Sequence, residues 1–136
     1  MRDRILMEIR VRCMEAVSVE GKEKKIVMIP FTGEASGPYF SGKTAGTGVD
    51  TQRIGPEGNA AISARYMLEG KDSSGNACRV FIENEGSRET GFRPEIVTDS
   101  PVLAEFEGVP KTAEIEGIEG GVMVRIYLNG GGRREL

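Results

Sequence analysis

Residues 60–70 and 77–86 are two alternating runs separated by Ser73-Ser74-Gly75, and together they specify a β-hairpin in which each arm checks the other. A three-residue loop with Gly75 in the left-handed conformation fixes which positions oppose. One face then pairs Glu69 with Arg79, Met67 with Phe81 and Arg65 with Glu83, so both charged pairs have opposite sign. The other face pairs Leu68 with Val80, Tyr66 with Ile82 and Ala64 with Asn84. The outer face is salt-bridged and the inner face apolar, with Asn84 as its strongly polar group. An amide facing a core costs free energy unless something hydrogen-bonds it. Asn84 is therefore expected either to have a core partner, with Tyr66 the nearest, or to line a pocket.

The rest of the chain has the same rhythm. Residues 6–19 alternate Glu8, Arg10 and Arg12 with Met7, Ile9, Val11 and Cys13, which predicts a half-buried strand. Further strands are expected at 25–32, 39–44, 49–54, 113–117 and 122–128, with a short one at 95–98. Residues 102–106 fit a strand or one helical turn, and residues 87–94 read as a loose polar segment. No segment keeps a helical period over about ten residues. About eight to ten short strands joined by Gly-containing turns describe an all-β, antiparallel barrel or sandwich, and closure is favoured because it leaves few edges exposed. The expected organisation is one barrel domain over residues 1–129 and a flexible tail over 130–136.

Composition narrows the chemistry. The chain has no histidine, which removes the commonest general base, the commonest metal ligand and every Ser-His or Cys-His nucleophile pair. Enzymology would have to run on carboxylates, Tyr, Lys or backbone groups. Its two cysteines, Cys13 and Cys78, share phase with apolar residues and are expected to be buried, reduced and unbridged. A net charge of −3 with scattered Lys and Arg leaves no footprint for nucleic acid or an acidic membrane. No apolar run approaches the ~18 residues of a membrane span, and charges interrupt residues 1–11, so the default address is the cytoplasm. Nothing demands a homo-oligomer, although so small a barrel accommodates one.

Two polar patterns resolve into ordinary structure. Gly46-Thr47-Gly48 lacks the following helix that a phosphate loop needs and is expected to be a hairpin turn, as is the segment 117–121. Glu105, Glu107, Glu114, Glu116 and Glu119 lack the spacing of a hard-cation loop, so no metal is expected and a solvated face is. Asp50 and Gln52 share one strand face with Ile54, while Val49, Thr51 and Arg53 take the other. If the first face points inward, a carboxylate and an amide enter the barrel, and burial raises the Asp50 pKa toward acid-base usefulness. If it points outward, both are surface residues.

The ordered set Pro30-Phe31-Thr32-Gly33, Ser36-Gly37-Pro38, Gly42, Gly48-Val49-Asp50-Thr51-Gln52, Ala64-Arg65-Tyr66 and Asn84-Glu85-Gly86 resembles the widespread microbial family known as domain of unknown function 3237. Pro94, Thr98 and Pro101 continue the likeness. The chain departs from it at Ser63, where many relatives carry an acidic residue, and in having no tryptophan. The resemblance implies a lipocalin-like or otherwise closed antiparallel barrel with no established activity, cofactor or catalytic residues. It adds Arg65 to the candidate ligand-binding set of Asp50, Gln52, Tyr66 and Asn84. The expected function is binding of a small apolar molecule in the barrel without a cofactor. The alternative is an acid-base isomerase, cyclase or hydrolase, with Asp50 carrying the proton and Tyr66 and Asn84 polarising an oxygen.

Overall fold

A computed structural model describes residues 4–129. The expected tail at 130–136 and the first three residues lie outside the described residues. Ten strands follow one another: β1 (Arg4–Cys13), β2 (Val17–Glu20), β3 (Lys25–Ser36), β4 (Phe40–Thr44), β5 (Gly48–Ile54), β6 (Ala60–Asp72), β7 (Ala77–Ser87), β8 (Gly91–Thr98), β9 (Lys111–Ile118) and β10 (Gly121–Leu128). Every pairing is antiparallel, and β1 meets both β10 and β3, which closes the sheet into a barrel. Successive staves lie side by side, the up-and-down arrangement that removes free edges.

The hairpin of β6 and β7 has the register its sequence dictates. Ala64 opposes Asn84, Tyr66 opposes Ile82 and Leu68 opposes Val80, and Gly75 has φ 86° in the turn. On the outer face Arg65 meets Glu83 at 2.8 Å and Arg79 meets Glu69 at 2.8 Å. Asp72 ties this turn to the following segment. Its Oδ1 accepts from the Ser74 and Asn76 amides, and its Oδ2 accepts from the Ser100 hydroxyl at 2.7 Å. The Ser100 hydroxyl also accepts from the Leu103 amide at the start of a 3-10 turn, Leu103–Phe106, which decides the ambiguity at 102–106 in favour of helix.

Three expectations need correction. Residues 6–19 are two strands, because Met14-Glu15-Ala16 breaks the run and β2 continues alongside the start of β3, beyond β1. Residues 87–94 contain the start of β8, paired to β7 from Ser87 and Gly91 onward. Gly46-Thr47-Gly48 is not a hairpin turn. β4 and β5 both pair with β3 and β6, so the segment is an in-line kink within one stave. The kink has a packing reason: a Cβ on Gly48 would stand 2.6 Å from both the Phe31 ring and the Tyr66 Cβ. Only glycine leaves room for the Phe31 ring and the Tyr66 Cβ against the backbone there.

The barrel is filled at one end and open at the other. Leu6, Met7, Leu68, Val80, Leu103 and Leu128 make a solvent-free lower core, with Leu103 of the 3-10 turn pressed in as a plug. Burial of these side chains stabilises the fold by roughly 1.5–3 kcal/mol each. In the upper half the inward row runs Ile29, Asp50, Ala64, Asn84 and Pro94 across consecutive strands. Small and polar residues there leave the interior unfilled.

Candidate functional site

The unfilled upper half is a cavity of about 400 Å³, within the range of small-molecule sites. Phe31 and Tyr66 make its floor, edge to face with ring centroids 5.2 Å apart. Ile29, Ile62, Phe92, Ala113, Ile115 and Val124 make most of the wall. Asp50, Gln52, Tyr66 and Asn84 all line it, so the Asp50 face of β5 is the inward one. Arg65 stands apart on the outer face in its pair with Glu83 and is not among the lining residues.

Strand pairing explains this convergence. Asp50 and Asn84 both oppose Ala64, one from β5 and one from β7, so they flank a methyl group with Tyr66 two residues deeper on the same strand. Neighbouring strands lie about 4.8 Å apart, so the β5 and β7 backbones stand about 10 Å apart with Ala64 of β6 between them. Gln52 donates from Nε2 to Asp50 Oδ2 at 3.2 Å. Asp50 Oδ1 and Asn84 Oδ1, by contrast, are buried without a hydrogen-bond partner among the described residues. Asn84 is only 4% exposed, so its oxygen is a costly orphan in a finished fold.

The electrostatics follow from burial. Burial raises the Asp50 pKa above the ordinary carboxylate value, and the Gln52 hydrogen bond opposes that shift only in part. Burial likewise pushes the Tyr66 phenol up, so it is neutral and a donor or acceptor of hydrogen bonds. Cys13 also lines the cavity, and burial and then the Asp50 charge raise its pKa. Cys13 is nevertheless exposed, which corrects the expectation of a buried thiol. Its inward phase was read correctly, but it ends β1 at the open rim, where the interior is cavity mouth and not core. Cys78, in the filled half, is buried and unbridged.

Sequence reasoning missed the rim. Ser87, Arg88 and Gly91 border the opening from the β7–β8 turn, and no local pattern marks a turn residue as facing a cavity. The glutamates of β9 face outward: Glu116 pairs with Arg125 at 2.9 Å, and Glu114 accepts from the Tyr127 hydroxyl. Among the described residues no group of three or more Cys, Asp or Glu is arranged to hold a metal ion, and no helix is long and apolar enough to cross a membrane.

Fold and site together define a closed, up-and-down β-barrel with one end packed and the other hollow and sparsely polar. The chain belongs to the family described as Protein of unknown function (DUF3237), which residues 4–103 match. It is 34% identical over 70 residues to a UPF0311 protein of Clostridium acetobutylicum, an alignment covering 52% of this chain and 40% of that relative. The chain thus matches less than half the length of that curated relative. Solved structures share the fold at low identity. One is a protein of unknown function from Clostridium acetobutylicum, with a TM-score of 0.79, 21% identity and coverage of 94% of this chain and 99% of that one. A second is a beta-barrel-like protein from Acinetobacter baumannii, with a TM-score of 0.77, 17% identity and coverage of 93% and 94%. A third is an enzyme from Penicillium herquei, with a TM-score of 0.74, 13% identity and coverage of 95% and 96%.

Proposed function

We infer that this barrel binds a small, largely apolar molecule in its open half, using the cavity as lipocalin-like barrels use theirs. The observation that carries this reading is the pair of buried, unpartnered oxygens, Asp50 Oδ1 and Asn84 Oδ1, facing one apolar-walled cavity of about 400 Å³. A fold that keeps such groups without a partner loses stability unless a ligand supplies the missing hydrogen bonds. Apolar walls supply affinity, and the two oxygens with Gln52 and Tyr66 supply orientation.

A thermal-shift screen of small apolar molecules bearing donor groups, run in parallel on the wild type and Asn84→Leu, tests it. A ligand at a hundredfold its Kd adds about 2.7 kcal/mol and raises the melting temperature of a domain this size by about 10 °C. The same compounds should leave Asn84→Leu unmoved. A hit that shifts both proteins equally binds elsewhere and counts against the site.

One observation favours a second reading. Asp50 is a carboxyl group whose pKa is raised by burial, beside a phenol and an amide, which is the environment of a general acid or base. In that reading Asp50 moves a proton on the bound molecule while Tyr66 and Asn84 hold an oxygen. Loss of turnover with retained binding in Asp50→Asn distinguishes it from pure binding.

A further inference from the structure

Two buried acceptors face the cavity without a hydrogen-bond partner among the described residues. These are Asp50 Oδ1 and Asn84 Oδ1; Tyr66, whose phenol can donate or accept, lines the same cavity. Gln52 Nε2 carries two N–H donors, and one of them goes to Asp50 Oδ2. The basic side chain among the lining residues is Arg88, exposed at the rim on the β7–β8 turn. We propose that the molecule the cavity takes is a protonated amine on an apolar skeleton, its ammonium group seated over Ala64 between Asp50 and Asn84. This specifies the ligand class for the binding reading above and rests on it.

An ammonium carries three N–H donors and a positive charge, suited to a carboxylate oxygen and an amide oxygen that both lack a partner among the described residues. The Phe31 and Tyr66 rings beneath add aromatic surface, toward which a cation is attracted. A neutral hydroxyl offers one donor and no charge, and leaves the Asp50 carboxylate without a counter-charge. An anion is repelled by Asp50 and must stay at the rim near Arg88. The cavity therefore ranks ligands of one shape in the order amine, alcohol, acid.

The groups facing Asp50 are few. Cys13 approaches from β1, Tyr66 from β6, Asn84 from β7 and Arg88 from the turn, with Gln52 on its own strand. β3 presents Ile29 and Phe31, and β8 to β10 present Phe92, Ala113, Ile115, Val122 and Val124, none of which titrates. The pH dependence of amine binding below neutrality is accordingly that of Asp50. Its pKa lies above 3.8 in the empty barrel, so amine affinity should fall as the pH drops through that titration.

Isothermal titration with phenethylamine, phenethyl alcohol and hydrocinnamate, which share one apolar body, decides the matter. At about pH 8 the amine is still charged and should bind the wild type about tenfold more tightly than the alcohol, with the acid weakest. In Asp50→Asn, a near-isosteric change, both the preference for amine over alcohol and its acid-side pH dependence should vanish. Alcohol or acid binding more tightly than the amine, or an amine preference that survives Asp50→Asn, overturns the proposal. If the alcohol binds and Ala64→Trp blocks it, the cavity reading stands without the amine. If none of the three binds the wild type, both fall.

Discussion

Replacing Asn84 with leucine should make this protein more stable, which is unusual for a polar-to-apolar change at a 4% exposed position. If Asn84 were a satisfied core amide, the change would strand its partner and cost about 1–3 kcal/mol. Among the described residues Oδ1 has no partner: it is buried and unpaired, and the side chain faces a cavity beside Ala64. The substitution therefore removes the desolvation penalty and adds apolar contact, with the larger leucine side chain taking up cavity space. Because the cavity is open to water at its rim, the gain lies at the low end of that range, about 1 kcal/mol. For a domain this size that corresponds to a rise in melting temperature of about 3–5 °C. Calorimetry reads the shift, and urea unfolding with an unchanged slope confirms that it reflects native stability. A fall in melting temperature would refute the reasoning, since it would mean that Asn84 holds a partner in the folded state.

Two carboxylates should show opposite pH behaviour. The folded pKa of Asp50 is raised above 3.8, so the stability of the wild type relative to Asp50→Asn should be greatest below that value and decline as pH rises through the folded one; denaturant titrations over a pH series check it, and a pH-independent difference would contradict it. The folded pKa of Asp72 is lowered, first by the Ser100 hydrogen bond, so its contribution should be complete above 3.8 and disappear as pH falls through the depressed value, a dependence absent from Asp72→Asn. Iodoacetamide should modify Cys13 at the rim and spare buried Cys78, with peptide mass mapping as the readout; faster labelling of Cys78 would mean that the lower core opens.

The β6–β7 hairpin was legible because three local signals agree: a turn needing positive φ at Gly75, two opposite-sign pairs on one face and an apolar set on the other. Its inner face led directly to Tyr66 and Asn84. The face of β5 was not legible, because Asp50 and Gln52 alternate with Thr51 and Arg53, and polar residues on both faces give a period of two no hydrophobic contrast. The decision came from the partners: Asp50 shares a cross-strand row with Ile29 and Ala64, both cavity-lining. The kink at Gly46-Thr47-Gly48 was hidden for a related reason. A Gly-rich break between short strands reads as a reversal, and only the joint pairing of β4 and β5 with β3 and β6 makes it in-line. Cys13 shows a third limit, since phase says that a side chain points inward but not whether the barrel is filled at that height.

Fluorescence titration with N-phenylnaphthylamine, an apolar probe that brightens on leaving water, tests the central claim that the upper half of the barrel is a ligand site. Ala64 lies between Asp50 and Asn84 and lines the cavity, so Ala64→Trp fills the space while Ala64→Ser leaves it open. The wild type and Ala64→Ser should bind the probe saturably, at about one molecule per chain, and folded Ala64→Trp should not. Saturable binding of equal strength in Ala64→Trp, or none in the wild type, would contradict the claim.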